Sequence, residues 1–188
     1  MTFKSLFITI VLFYSFVAHS QQNSLPYKID LQDVEGNIIN SSDILLDTKY
    51  TLIEFWSYGC KPCIVQLNGF STHKEEFDKR DVRIIAISQF EWDQKDADRM
   101  TKLGIEAYFD FTGKYFKKNA KFLQSSIPLT VIYDINGDKI FTKTGAPVVL
   151  KGMDPNAPDY TQKVSDAMLN NPSLLDLDIA KYLDILNN

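Results

Sequence analysis

Two near-continuous apolar runs, Tyr50 to Trp56 and Val82 to Ser88, stand on either side of one stretch with helical spacing, and this arrangement constrains the fold most. Tyr50-Thr51-Leu52-Ile53-Glu54-Phe55-Trp56 is rich in β-branched and aromatic residues, and its lack of alternation suits a strand buried on both faces. It closes at Ser57-Tyr58-Gly59. From Lys61 to Lys79 the apolar positions Leu67, Phe70 and Phe77 fall on one helical stripe, which Cys63 shares. Val82-Arg83-Ile84-Ile85-Ala86-Ile87-Ser88 is a second buried strand. A helix between two such strands is the crossover that parallel neighbours require. The chain is therefore expected to build a βαβ unit and an α/β architecture.

The flanking segments extend this unit. Tyr27 to Leu31 alternates apolar and polar residues, the period of a half-buried strand, and Asp33-Val34-Glu35-Gly36-Asn37 reads as a turn. Ser41-Ser42-Asp43 suits the cap of a short helical turn. Asp93 to Leu103 predicts a helix stopped by Gly104, Tyr108-Phe109 a short extended piece, and Thr112 to Leu123 another helix with Thr112 at its start. After Ile127-Pro128, Leu129 to Tyr133 and Lys139 to Thr144 flank the turn signal Asp134-Ile135-Asn136-Gly137-Asp138 and predict an antiparallel hairpin. Gly145 to Pro158 reads as a long loop, followed by helices near Thr161 to Leu169 and Leu174 to Leu186.

Composition bounds the function. The 188 residues are 45% hydrophobic and 23% charged, a profile of one globular domain. A net charge of −4 and the absence of a long basic run argue against nucleic acid as a partner. At the N-terminus, Lys4, an apolar run from Leu6 to Ala18, and Ala18-His19-Ser20 before Gln21 predict a secretory signal peptide over 1–20, with one domain over 21–188. The apolar run is shorter than the roughly 20 residues a membrane-spanning helix needs, so no stable span is expected once it is cleaved. A retained anchor is the alternative. Export to the periplasm or another extracytoplasmic space puts thiols where disulfides persist unless something reduces them.

The chain has only two cysteines, Cys60 and Cys63, within four residues of each other. Placed where a buried strand hands over to a helix, Cys60 faces unpaired backbone N–H groups and the positive end of the helix dipole, which favour thiolate over thiol. Cys60 is the expected nucleophile. Lys61 adds a cation beside it, and Pro62 is tolerated in a first turn, where its missing N–H has no partner to lose. Cys63, on the more buried face, is placed to attack a mixed disulfide and release the product. The pair is a poor structural staple, because disulfide stabilisation grows with the length of the loop closed. A zinc site would need carboxylates to complete it, since His73 is the one histidine after the signal segment, and covalent haem attachment would need a histidine where Ile64 stands. No metal and no cofactor beyond a redox-active Cys60–Cys63 disulfide is expected.

Phe55-Trp56 followed by Cys60-Lys61-Pro62-Cys63, the Ile127-Pro128 before a strand, and the hairpin turn Asp134 to Asp138 resemble the thioredoxin superfamily, most closely its exported TlpA/ResA-like thiol-disulfide oxidoreductases with a redoxin or AhpC/TSA-like domain. The resemblance covers roughly 27–145 and leaves 146–188 as an extension. It implies a three-layer α/β/α fold with a central mixed sheet, followed here by a C-terminal helical extension. It also implies a cis bond at Pro128, with the Ile127 backbone binding an extended substrate segment, and a buried acid at Glu54 that accepts the Cys63 proton. Without the resemblance, Glu54 reads equally as a solvated strand end. Trp56, Tyr58, Gly59, Lys61 and Pro62 complete the expected substrate-binding surface, with Trp56 packed under the loop. The implied partners are a disulfide-containing client protein and a membrane or extracytoplasmic electron donor, and the implied direction is reduction; oxidation is the alternative, which Lys61 favours by stabilising the Cys60 thiolate.

Tyr58-Gly59 departs from relatives that carry tryptophan before the first cysteine, so substrate preference does not carry over. Two other readings compete. A thiol peroxidase of peroxiredoxin type is suggested by Ser57 three residues before Cys60, but Ile53 stands where such enzymes carry proline, and no arginine follows Arg99. A metal-handling or binding module of the same fold lacks a distal histidine to complete a site, as none follows His73.

Overall fold

The structure is a computed structural model that describes residues 23–120 and 126–187; the predicted signal peptide and the predicted helix end at 121–123 lie outside the described residues. In chain order, β1 (Asp30–Gln32) and β2 (Ile38–Asn40) form a hairpin, and a 3-10 turn (Ser41–Asp43) leads to β3 (Tyr50–Trp56). Then come α1 (Lys61–Thr72), α2 (Lys74–Asp78), β4 (Val82–Ser88), α3 (Gln94–Leu103), β5 (Glu106–Phe109) and α4 (Lys114–Ala120). The hairpin β6 (Leu129–Asp134) and β7 (Lys139–Thr144) follows. The chain finishes with β8 (Val148–Leu150), α5 (Tyr160–Asn170), a 3-10 turn (Pro172–Leu174), β9 (Leu175–Leu177) and α6 (Ala180–Leu186).

Among the described residues, seven strands make one mixed sheet in the order β2-β1-β5-β4-β3-β6-β7. The β3–β4 and β4–β5 pairs are parallel, while β6 runs antiparallel to β3. Every residue of β3 is buried. Its two faces feed two cores: Leu52 and Trp56 join Cys63, Leu67, Phe70 and Phe77 on one side. Ile53 and Phe55 join Tyr115, Leu129 and Val131 on the other. With helices over both faces, this is the expected three-layer α/β/α arrangement, and each fully buried Leu, Ile or Phe contributes about 1.5–3 kcal/mol by leaving water.

Three local expectations are corrected. Tyr27 and Lys28 take φ of 82° and 45°, outside the strand region, so the first strand starts at Asp30. Ser41 tethers this bend: its Oγ accepts from Ile29 N and donates to Pro26 O, and its N–H donates to Ile29 O. The helix predicted over Lys61 to Lys79 breaks at His73 into α1 and α2. An unbroken helix would set Phe70 and Phe77 about 10 Å apart along its axis; the break brings their rings to 5.6 Å, both against Tyr182.

The third correction is in the C-terminal segment. It carries helices α5 and α6, but Val148–Leu150 in the predicted loop and Leu175–Leu177 in the predicted helix pair as a two-stranded antiparallel sheet. The alternation Leu175-Asp176-Leu177 is a strand pattern too short to stand out from the helical run after it. This small sheet lies over α1, where Gly69 is the point of contact: a Cβ there would sit 2.3 Å from Leu177 Cβ. Among the described residues, no helix is long and apolar enough to cross a membrane.

Candidate active site

At the C-terminal end of β3 the chain turns through Ser57–Gly59, and the Cys60 N–H donates to Ser57 O at 3.1 Å. Cys60 then becomes the N-cap of α1, with extended φ and ψ, and its Sγ accepts a hydrogen bond from Cys63 N at 3.2 Å. The sulfur therefore occupies the place of a capping side-chain oxygen, where backbone N–H groups and the helix dipole favour negative charge. Pro62 lies in the first turn. Cys60 and Cys63 are joined as a disulfide, with Cα atoms 5.2 Å apart. Cys60 is half-buried, whereas Cys63 has no exposed surface, so a substrate reaches only Cys60.

The Ile127–Pro128 bond is cis. Ile127 packs against the same apolar cluster as Cys60, which brings the two loops together, and Pro128 is buried with its carbonyl held by Gly145 N at 2.8 Å. Trp56 is fully buried among these residues, so it supports the loop and does not meet a substrate in this conformation. Tyr58 is 60% exposed, with Lys95 Nζ 5.3 Å from its ring centroid, and the space around Gly59 is open. Lys61 Nζ does not rest on Cys60: it donates to Leu169 O at 2.7 Å, at the negative end of α5.

Glu54 is fully buried, which overturns the solvated strand-end alternative. It stands opposite Thr130 in the β3–β6 register, two residues from both Leu52 and Trp56 and so on their face of the sheet, where Cys63 of α1 packs. Its Oε2 accepts from Thr130 Oγ1 at 2.7 Å and from Gln66 Nε2 at 2.9 Å, and its Oε1 has no hydrogen-bond partner among the described residues. Burial pushes this carboxyl up from 4.5 to about 8, against the opposing pull of the Thr130 hydrogen bond.

Three residues of this group carry no site assignment from the sequence: Gln66, Thr130 and Tyr182. The amide nitrogen of Gln66 also lies 2.7 Å from Thr130 Oγ1 and 2.6 Å from the Tyr182 hydroxyl. Gln66 had a legible signal, a polar side chain three residues after Cys63 on an otherwise apolar stripe. Thr130 is recognisable only through strand register, and nothing local in the sequence sets Tyr182 apart.

The AhpC/TSA family profile matches residues 23–149. Among solved structures, an uncharacterized thioredoxin-like protein from Porphyromonas gingivalis is 21% identical, with a TM-score of 0.50 over 78% of this chain and 93% of that one. The thioredoxin domain of a thiol-disulfide oxidoreductase from Bacteroides vulgatus is 17% identical, with a TM-score of 0.51 over 78% of this chain and 97% of that one. No curated protein sequence matches. At these identities the two structures show the fold alone, which is thioredoxin-like.

Proposed function

Because this chain belongs to the AhpC/TSA family and presents one accessible cysteine of a disulfide pair at a helix N-terminus, we propose that it is an exported thiol-disulfide oxidoreductase that reduces protein disulfides. The observation that carries this reading is the split in exposure: Cys60 open to a partner, Cys63 sealed behind it. In the reduced form the Cys60 thiolate attacks a client disulfide, one client sulfur leaves as thiolate, and a mixed disulfide forms. The Cys63 thiolate then attacks Cys60 Sγ, releases the second client sulfur, and closes the Cys60–Cys63 disulfide. Two electrons pass to the client. An extracytoplasmic or membrane-held dithiol donor returns the pair to the reduced state.

Glu54 is the proton acceptor for Cys63 in this reading. Glu54 lies on the sheet face that α1 packs against, and Gln66, one helical turn beyond Cys63 on α1, binds Glu54 directly. A carboxyl titrating near 8 suits proton exchange with a thiol at neutral pH. The backbone of Ile127 and the exposed surface of Tyr58, Gly59, Lys61 and Pro62 frame the client. The signal-peptide pattern in the sequence of 1–20 supports export.

The peroxidase reading is the less favoured one. Arg83 lies near the start of β4, at the opposite end of the parallel β3–β4 pair from the cysteines, and is held by Glu106 and Asp47. The two readings separate when the dithiol protein is mixed with insulin and, separately, with hydrogen peroxide. Reduction of disulfides predicts loss of two protein thiols per client disulfide opened. A faster reaction with peroxide than with insulin would overturn the proposal.

A further inference from the structure

The C-terminal segment and the outer face of α1 enclose a cleft of about 460 Å³ that opens beside the cysteine loop, with Tyr58 and Lys61 on its lining. Its size is that of a site for a small ligand or a few side chains. Ile64, Val65 and Leu175 supply its apolar lining, and Lys151 lines it as well. Val65 and Leu175 belong to a separate small core with Ala167, which joins α1, β9 and α5 beneath the cleft.

The charge in this cleft is unequally satisfied. Asp176 accepts from Leu177 N at 2.8 Å and lies 3.4 Å from His73 Nε2. The two lysines, both exposed, engage only carbonyls: Lys61 Nζ binds Leu169 O, and Lys151 Nζ binds Ser173 O at 3.1 Å. Among the described residues neither has a carboxylate within ion-pair distance. An ammonium has three protons to donate, so each lysine keeps its charge and further donors for an incoming anion.

We propose that this cleft is a recognition site for the client, binding an acidic and aliphatic stretch of the client chain next to the disulfide under attack. Carboxylates meet Lys61 and Lys151, and an aliphatic side chain lies on Ile64, Val65 and Leu175. Lys61 directly follows Cys60, so a chain covalently held on Cys60 passes the mouth of the cleft. The assignment rests on the redox reading above and adds to it a client class, selected by sequence around the cysteines.

The test uses two peptides with the same disulfide loop, one flanked on both sides by Glu-Leu-Glu and the other by Lys-Leu-Lys, with bis(2-hydroxyethyl) disulfide as an uncharged reference. Reduced protein is oxidised by each, and the ratio of the two peptide rates is taken within each variant, so a general loss of activity cancels. The full-length protein should prefer the acidic peptide by about tenfold at low ionic strength, the scale of electrostatic selection at an interface. In Lys151→Glu the ratio should fall to about one or invert, and in Lys151→Ala it should fall part of the way. Lys118→Glu, an equal charge change on α4 at the opposite face of the sheet, should keep the preference. An unchanged ratio in Lys151→Glu, or an equal fall in Lys118→Glu, would overturn the cleft assignment while oxidation by the neutral disulfide leaves the redox reading standing. No reaction with any of the three disulfides would overturn the redox reading and the cleft with it.

Discussion

Gln66 Nε2 lies 2.6 Å from the hydroxyl of Tyr182, a contact between the helix that begins at the cysteine pair and α6 at the far end of the chain. Through it the C-terminal segment enters the hydrogen-bonded group around Glu54, since Tyr182 Oη is also 3.2 Å from Thr130 Oγ1. When Tyr182 donates to Thr130, the threonine keeps its own proton for Glu54 Oε2, a chain that favours the ionised acid.

Tyr182→Phe removes that donor without opening a cavity. The loss of one buried hydrogen bond should cost about 1 kcal/mol in stability. Glu54 should also titrate higher than in the native protein, so the pH profile of the step in which Cys63 closes on Cys60 should move upward. Single-turnover kinetics across pH 6–10 read this directly. A stability loss with an unmoved profile would show that Tyr182 only packs.

Glu54→Gln tests the buried acid through stability. Glu54 is raised from 4.5 to about 8 in the fold. Below the unfolded value both states hold the proton, and the contribution to stability is complete. As pH rises from 4.5 towards 8, the unfolded chain ionises while the folded chain does not, so stability is lost at about 1.4 kcal/mol per pH unit. The glutamine variant lacks this slope. Urea denaturation of both proteins from pH 4.5 to 9 should therefore show the variant gaining on the native protein up to about pH 8 and holding level above it. Parallel curves would contradict the raised carboxyl.

Gly69→Ala probes the seam between α1 and β9. In an open helix interior this change stabilises by about 1 kcal/mol. Here the new methyl would sit 2.3 Å from Leu177 Cβ, so β9 must move. A net destabilisation of about 1–3 kcal/mol is expected by denaturant titration, with weakened protection of β8 and β9 in hydrogen exchange. A stabilised variant would mean that the C-terminal segment is not seated on α1 as described.

The legible parts of the molecule were those whose signal is local. The uniform apolarity of Tyr50–Trp56, the Asp93 cap and Gly104 stop of α3, and the turn Asp134–Asp138 each state their own structure, and the observed elements match them. The cysteine pair was equally plain, because two thiols three residues apart at a strand-to-helix junction can close on each other, and they stand there as a disulfide. What stayed hidden depends on contacts between distant segments. Thr130 meets Glu54 through a register that no short window contains. The helix breaks at His73 although its stripe runs on unbroken to Phe77, and the packing that accompanies the break, Phe70 and Phe77 against Tyr182, involves a residue more than a hundred positions away. The strand Leu175–Leu177 is only three residues long, and its partner Val148–Leu150 lies in a stretch dominated by proline and glycine.

The central claim is that Cys60 attacks and Cys63 resolves. Reduced Cys63→Ser protein mixed with insulin tests it most directly, followed by non-reducing electrophoresis and mass spectrometry. The account predicts a covalent adduct through Cys60, released by dithiothreitol and absent when Cys60 is replaced by serine as well. No adduct from Cys63→Ser, under conditions where the native protein still opens insulin disulfides, would contradict it.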